Sequence, residues 1–455
     1  MNEEIKEKID YCLNCKLKPC PVNGCPLNND IPMFIKYMKE NKLQDAYEVL
    51  CNTTILQSIC GRICPHKKQC EGSCVRGIKD NSVSIGELEA IIGDYGIDNN
   101  LEIPKEIDNS LVNKKVAIVG GGPAGLTCGA FLARKGVKVT IYERYNFLGG
   151  LLMYGIPDFR LDKNIVKRAI QKILDLGIDV KYNQILGKNL KLEDLEKEYD
   201  KIFLAFGGNK SLKMNIIGEN LDGVYGANEL LEYGNYPEFN EKTVIVNGAG
   251  NVAIDVARTI KRKGAKKVII VYRRSKKEMP AEEKEITQCE KEGIEFLLKN
   301  NIVKINGKNK VESIELIKTE LVKKKGENRL SPINIEGTNY TINADYVIMA
   351  LGSETDETIK NLKLELTSKN NIMVDEKYKT SNPKIFAGGD LAGCTKTVAW
   401  AARSGRDAAE KIIEEFKTRI ELRNWRNIYI SNINNVKQDL KVLNLTSNYP
   451  VTLKY

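Results

Sequence analysis

Apolar and polar residues change their period along the chain, and the changes divide it. Over residues 83–95 (VSIGELEAIIGDY) apolar side chains recur at helical spacing. Ser84 stands where an N-cap would, with Glu87 three residues on, which predicts a short capped helix. Residues 98–113 are polar and aperiodic, the pattern of a linker. An apolar strand at 116–119, a glycine turn, a helix over 124–135 and a second strand at 137–142 then predict a βαβ unit. The order returns at 243–272 as strand TVIVN, turn GAG, a helix over 252–263 and strand KVIIVY. Two such units predict two doubly wound domains. Apolar strands ending in glycine (200–208 and 345–352) follow the units, and KIFAGGD at 384–390 leads into a helix over 397–416. The stretch 418–455 is polar and Asn-rich with no clear period, and it suggests no role.

Composition adds a soluble globular class, with 29% charged and 42% hydrophobic residues in 455, enough for two or three domains. The start, MNEEIKEKID, has no apolar signal core. The uncharged run 116–133 reaches membrane-span length, but its five glycines and Pro123 make it a buried turn, so no membrane span is expected. A cytoplasmic location, where structural disulfides are rare, is the expectation. The net charge of +10 comes from scattered lysines rather than clusters with aromatics, so no nucleic acid is expected. An acidic redox partner such as a ferredoxin is a second use for it.

The first glycine turn reads Gly120-Gly-Gly-Pro-Ala-Gly125 between strand and helix, and the next strand ends in Glu143. Glycines let the backbone approach a pyrophosphate at the helix N-terminus, and Glu143 can accept from an unphosphorylated ribose, as in FAD or NAD. The second turn, Gly248-Ala-Gly-Asn-Val-Ala253, has alanine at the third glycine position, and its next strand ends in Arg273-Arg274. Two guanidinium groups there suit a 2′-phosphate and favour NADPH over NADH. The pair implies a flavin held in one domain and a nicotinamide visiting the other, with hydride passing between them. His66 is the single histidine and the nicotinamide unit carries no Cys-x-x-Cys, so neither a triad nor a dithiol site can be assembled.

Nine of the twelve cysteines fall within the first 74 residues, at positions 12, 15, 20, 25, 51, 60, 64, 70 and 74. Only Cys12 and Cys15 have zinc-type spacing. The uneven runs CLNCKLKPCPVNGC and CGRICPHKKQCEGSC, with Cys25-Pro26, suit iron–sulfur sites, zinc being the alternative. A flavin beside NADPH favours iron–sulfur, because single-electron carriers complement a two-electron donor.

CLNCKLKPC…GCPLNNDIP, CGRICPHKKQCEGSCVRG, VSIGELE, VGGGPAGL, LGGLLMYGIPDFRL and AGGDLAG together resemble the small subunit family of NADPH-dependent glutamate synthase, from about Cys12 to Phe416. Relatives include the flavin/cluster part of dihydropyrimidine dehydrogenase and the large subunit of the bifurcating ferredoxin-dependent NADP transhydrogenase. The resemblance implies two 4Fe–4S clusters, one on Cys12, Cys15, Cys20 and Cys74, the other on Cys25, Cys64, Cys70 and Glu89, with Cys51 and Cys60 spare. It places Gly120, Gly122, Pro123, Ala124, Gly125, Glu143, Arg144, Gly150, Leu151, Arg160, Gly389, Asp390 and Thr397 around FAD. Gly248, Gly250, Asn251, Val252, Ala253, Arg273, Arg274 and Gly352 form the NADP set. The gap before Cys25 is one residue longer than in most relatives.

The expected fold is thus α/β: a helical iron–sulfur domain (1–112), then two Rossmann-like domains with the second inserted in the first. FAD-binding parts would span 113–238 and 356–417, the NADPH domain 239–355, and a tail 418–455. The expected activity is transfer of electrons from NADPH through FAD and the clusters to a second redox subunit. That subunit would be a glutamate synthase large subunit or, alternatively, a ferredoxin- and NADH-linked flavoprotein, and a homo-oligomer is possible. Met1-Asn2 offers no N-terminal cysteine nucleophile for glutamine, and the tail is too short for an FMN barrel, so glutamate formation should need a second chain.

Overall fold

The computed structural model describes residues 2–208, 210–323 and 330–442, with the backbone alone for 423–442. The N-terminal module contains helices α1 (Glu3–Asp10), α2 (Ile31–Lys39), α3 (Leu43–Cys51), α4 (Gln57–Ile63) and α5 (Ile85–Asp98). Asp30 caps α2 by accepting from the Met33 amide at 3.3 Å. α4 and α5 approach until backbone meets backbone: a Cβ on Gly61 would lie 2.4 Å from the Ala90 nitrogen, and one on Gly93 2.3 Å from that of Ser58. Ile59, Leu88 and Ile92 are fully buried. The capping expected at Ser84 is absent: its side chain accepts no cap hydrogen bond, and Glu87 pairs with Lys8 at 2.7 Å. Packing, rather than a cap, holds α5 in place.

The first nucleotide unit follows as β1 (Lys115–Val119), α6 (Pro123–Ala133), β2 (Lys138–Tyr142), α7 (Leu151–Tyr154), α8 (Lys163–Leu174), β3 (Asp179–Lys181), α9 (Leu192–Glu198) and β4 (Lys201–Leu204). The chain then leaves through β5 (Lys210–Ser211) and builds β6 (Val224–Gly226), α10 (Ala227–Tyr233), β7 (Thr243–Asn247), α11 (Asn251–Arg262), β8 (Lys267–Tyr272), α12 (Glu283–Lys291) and β9 (Glu295–Leu298). Four antiparallel strands form a separate sheet: β10 (Asn300–Asn306), β11 (Ser313–Val322), β12 (Ser331–Asn334) and β13 (Tyr340–Asn343). β14 (Tyr346–Met349) precedes the return through β15 (Ser353–Glu354) to β16 (Ile385–Ala387) and α13 (Val398–Val442).

Two five-stranded parallel sheets result, ordered β16-β4-β1-β2-β3 and β6-β14-β7-β8-β9. β16 closes the first sheet against β4, so the second unit is an insertion in the first. The outgoing β5 and returning β15 pair as a two-stranded ribbon. The boundary expected at 238/239 falls earlier, because Val224–Gly226 already pairs with β14 in the second sheet. β6 is three residues long and half-buried, too short to show a period. The helix expected to end at Phe416 continues to Val442, while residues 443–455 of the expected tail lie outside the described residues. Beyond Phe416 apolar residues do recur at helical spacing, at Leu422, Trp425, Tyr429, Ile433, Val436 and Leu440, but the surrounding polar and Asn-rich residues obscure the period.

The two units are also clamped side to side. Arg160, from the loop after α7, pairs with Asp255 of α11 at 2.6 Å, and both side chains are under 10% exposed. The Arg258 and Arg262 guanidinium groups of the same helix stand 4.5 and 4.0 Å from the Phe159 ring centre. Burial outweighs the attraction of Arg160 and lifts Asp255 to about 6, which leaves it ionised at neutral pH. Asp255→Ala should therefore strand a buried guanidinium and cost about 3–5 kcal/mol in denaturant unfolding. The double variant Arg160→Met with Asp255→Leu should recover most of that loss. Gly61→Leu should force α4 from α5 and release iron from the purified protein while leaving flavin bound.

Candidate functional site

The first glycine turn is shaped by contact with its own strand neighbours. Gly120 adopts φ of +103°, and a Cβ there would lie 2.5 Å from the Ala205 carbonyl oxygen. A Cβ on Gly125 would lie 2.0 Å from the Gly120 oxygen. Gly122, at the N-cap of α6, faces open space, with Pro123 and Ala124 opening the helix behind it. Strand, open backbone and helix N-terminus therefore meet as a pyrophosphate cradle requires.

Glu143 lies at the end of β2, 4% exposed. Its Oε2 accepts from the Gly121 amide at 2.8 Å and its Oε1 from the Tyr145 amide at 3.0 Å. Burial raises its pKa against the pull of those amides. Each oxygen keeps a lone pair for a ribose hydroxyl. The Gly149 amide donates to the Gly121 oxygen at 2.8 Å, Gly150 packs on Gly122, and Leu151 begins α7 beside them. From the far end of the chain, the Gly389 amide donates to Ser404 at 2.8 Å, and burial raises the Asp390 carboxyl. Thr397 caps α13 by accepting from the Trp400 amide at 3.3 Å. Two residues expected around the flavin have other partners: Arg144 pairs with Glu232 of α10, and Arg160 with Asp255.

In the second unit Gly248 has φ of +132° and would place a Cβ 2.3 Å from the Ala350 oxygen. Gly250, the N-cap of α11, faces open space, followed by Asn251, Val252 and Ala253. Gly352, with φ of +125°, follows β14. Arg273 is exposed at the end of β8, while the buried Nε of Arg274 has no hydrogen-bond partner, a donor left for an anionic ligand. A strap at 279–284 covers this turn: the Ala281 amide donates to the Ala249 oxygen and the Glu282 amide to Asn251 Oδ1, both at 3.2 Å.

The cysteines form two groups. Cys12, Cys15, Cys20 and Cys74 line one cavity, closed on its inner side by Ile31 and Ile35. Burial raises the Cys12 thiol and lifts Cys20 to about 12. The second group is Cys25, Cys64, Cys70 and Glu89, which act electrostatically on one another. Burial holds Glu89 up at about 8, and its Oε1 accepts from Asn29 Nδ2 at 3.2 Å. Cys25 is lifted to about 12, burial being the main cause. Among the described residues no three His, Cys, Asp or Glu side chains converge on one point as ligands of a single ion. Four sulfurs set around a cavity suit a larger polynuclear group, whose charge offsets the cost of burying thiolates.

Cys60, set aside in the sequence reading, hydrogen-bonds Cys64 and belongs to the second group; its spacing of four from Cys64 on a helix was the available signal. His66, held neutral by burial at about 4, lies 3.1 Å from the Cys60 oxygen through Nε2. Both nucleotide units grip this second group. Lys68 donates to the Pro280 oxygen at 2.6 Å, and Lys67 pairs with Glu283 at 2.9 Å, joining the loop between Cys64 and Cys70 to the nicotinamide strap. From α13, Arg403 donates to the Pro26 oxygen at 3.2 Å and Arg406 to the Leu27 oxygen at 2.7 Å, beside Cys25. No motif announced these contacts.

Residues 114–407 match the family described as pyridine nucleotide-disulphide oxidoreductase, and residues 1–101 match dihydropyrimidine dehydrogenase domain II, 4Fe-4S cluster. The glutamate synthase [NADPH] small chain of Escherichia coli (strain K12) is 35% identical over 433 residues, covering 90% of this chain and 91% of that protein. The NADPH-Fe(3+) oxidoreductase subunit beta of Geobacter sulfurreducens is 34% identical over 428 residues, covering 87% of this chain and 63% of its own length. A Mycobacterium tuberculosis FprA structure in complex with NADPH shares the fold at a TM-score of 0.61 and 20% identity, covering 68% of this chain and 86% of that one. No helix among the described residues is long and apolar enough to cross a membrane. The chain belongs to the pyridine nucleotide-disulphide oxidoreductases and, within them, to the family of the NADPH-dependent glutamate synthase small chain, an NADPH-dependent flavin and iron–sulfur oxidoreductase.

Proposed function

We propose that this chain is the electron-input subunit of a glutamate synthase, drawing electrons from NADPH for a larger partner that makes glutamate. The observation that carries the reading is the continuity of the second cysteine group with both nucleotide units, through Lys67 and Lys68 on one side and Arg403 and Arg406 on the other. The alignment with a glutamate synthase small chain over nearly its full length supports the choice of partner.

In this reading Gly120, Gly122, Pro123, Ala124 and Gly125 seat the FAD pyrophosphate, and Glu143 holds its ribose while repelling a phosphorylated one. Gly150, Leu151, Gly389 and Asp390 line the rest of that pocket; Thr397 shapes it by capping α13. Gly248 through Ala253 and Gly352 seat NADPH under the strap, and Arg273 and Arg274 take its 2′-phosphate. Cys12, Cys15, Cys20 and Cys74 hold one 4Fe–4S cluster; Cys25, Cys64, Cys70 and Glu89 hold the other. When bound, flavin accepts a hydride's two electrons and the clusters carry electrons singly. The chain's own work is to orient these groups and exclude water between them.

A second reading, the NADP-binding subunit of an electron-bifurcating NADH-dependent ferredoxin:NADP oxidoreductase, draws on similarity to a subunit of a different NADPH oxidoreductase. Co-purification separates the two: a large amidotransferase chain supports the first, and a small FAD/2Fe–2S chain the second.

Anaerobically purified protein should hold about eight irons and one FAD, bleached by NADPH; zinc in place of iron overturns the reading. Glu89→Ala should halve the iron and leave FAD bound. Arg273→Ala and Arg274→Ala should each raise KM for NADPH about tenfold, as loss of a charge-assisted hydrogen bond predicts, with KM for NADH little changed. The chain alone should form no glutamate from glutamine, 2-oxoglutarate and NADPH, and formation by the pure chain would refute the need for a partner.

A further inference from the structure

The loop between Cys64 and Cys70 is five residues long, and it is packed so that its tip cannot move alone. His66 Nε2 lies 3.1 Å from the Cys60 oxygen, and a Cβ on Gly86 would stand 2.4 Å from the His66 ring. A Cβ on Gly72 would lie 2.2 Å from the Lys67 carbonyl oxygen, and one on Gly24 2.7 Å from that of Gln69. Such close approach leaves no slack, so a displacement of Lys68 is passed to the cysteines on either side.

The strap at 279–284 is as constrained on the nucleotide side. Met279 and Ala281 are buried, and the Ala281 and Glu282 amides donate at 3.2 Å to the Ala249 oxygen and to Asn251 Oδ1. Ala249 and Asn251 flank Gly250, the N-cap of α11. Asn251 accepts from the strap through Oδ1, which leaves Nδ2 to donate to a phosphate at the helix N-terminus. A ligand on this turn therefore bears on the strap through a shared side chain.

Lys68 spans the gap between loop and strap. Its Nζ donates to the Pro280 oxygen at 2.6 Å and stands 3.9 Å from Oε1 of Glu282. That oxygen is buried and has no hydrogen-bond partner among the described residues. The neighbouring Lys67–Glu283 pair is exposed on both sides, 72% and 77%, and contributes little.

We propose that Lys68 is a positioning residue that couples nucleotide binding to the redox state of the second cysteine group. With a nucleotide on the turn, the strap is held, and with it the Lys68 ammonium beside the Cys64–Cys70 loop. A positive charge fixed there favours the arrival of an electron. The proposal rests on the reading of Cys25, Cys64, Cys70 and Glu89 as ligands of one cluster, and adds a regulation of that site. Linkage makes the effect reciprocal: a nucleotide that raises the cluster's potential must bind more tightly, by the same factor, once the cluster is reduced. The phosphates of the nucleotide would by themselves lower the potential, so the sign of the shift separates the two causes.

The test uses the full chain, purified anaerobically with its cofactors, and adenosine 2′,5′-bisphosphate, a redox-silent probe that carries the 2′-phosphate. In a reductive titration followed by electron paramagnetic resonance, saturating probe should raise one cluster's midpoint by about 59 mV, the equivalent of tenfold coupling for one electron. Calorimetry should find the probe bound about tenfold more tightly by dithionite-reduced than by oxidised protein. Lys68→Met should abolish or reverse both differences with iron and FAD content unchanged. Lys68→Arg and Lys67→Met should each keep them. No shift or a fall in the wild type, or a rise that persists in Lys68→Met, would overturn the coupling and leave the proposed function standing. Zinc in place of iron, or a flavin that NADPH does not bleach, would instead overturn the proposed function.

Discussion

Helix α6 begins where it does because glycines let backbone touch backbone around it. Gly125 clears the Gly120 oxygen, and Gly405 of α13 would put a Cβ 2.1 Å from the Ala124 oxygen. A side chain at either position would drive α6 from β1 or α13 from α6. The open turn at Gly122, the packing of Gly150 on it and the approach of Gly389 to Ala124 all follow from that contact. The inserted second unit repeats the solution at Gly248 and Gly250, and it is held at its edges by the β5–β15 ribbon and the Phe159–Arg160 clamp.

Charge is buried where the modules join, and it is compensated each time. Lys201, with a fully buried side chain, reaches Glu415 of α13 and the Pro383 oxygen. Arg134 donates to the carbonyls of Cys51 and Pro104, holding the helical module against α6. Arg406 does the same at Leu27. Such groups contribute little net stability as pairs, but removing one partner is costly, so they fix the arrangement of the modules more than they strengthen it. The second cysteine group lies inside this set of junctions, whereas the first lies at the rim.

Much of this was legible in the residues. The βαβ units were read from period and glycine spacing, and the observed strands begin within a residue of their expected positions. The cysteine runs pointed to a metal module, and the thiols expected together at the first site do line one cavity. Other features were not legible. Ser84 reads as a cap and does not act as one. Strand β6 is too short to carry a period. Past Phe416 the apolar stripe from Leu422 to Leu440 is hidden among polar and Asn-rich residues, and Cys60 looked spare because only the helical turn brings it to Cys64.

By itself the sequence determined the two nucleotide units and the cysteine module, because each depends on residues close together in the chain. Backbone clearance, the charge at a strand end and the spacing of thiols are local properties. Only the tertiary structure decided which groups meet across long stretches of the chain: Arg160 with Asp255, Lys68 with the nicotinamide strap, and Arg406 with the segment after Cys25. Those meetings depend on how packed elements bury their faces against one another, and no short-range pattern records that.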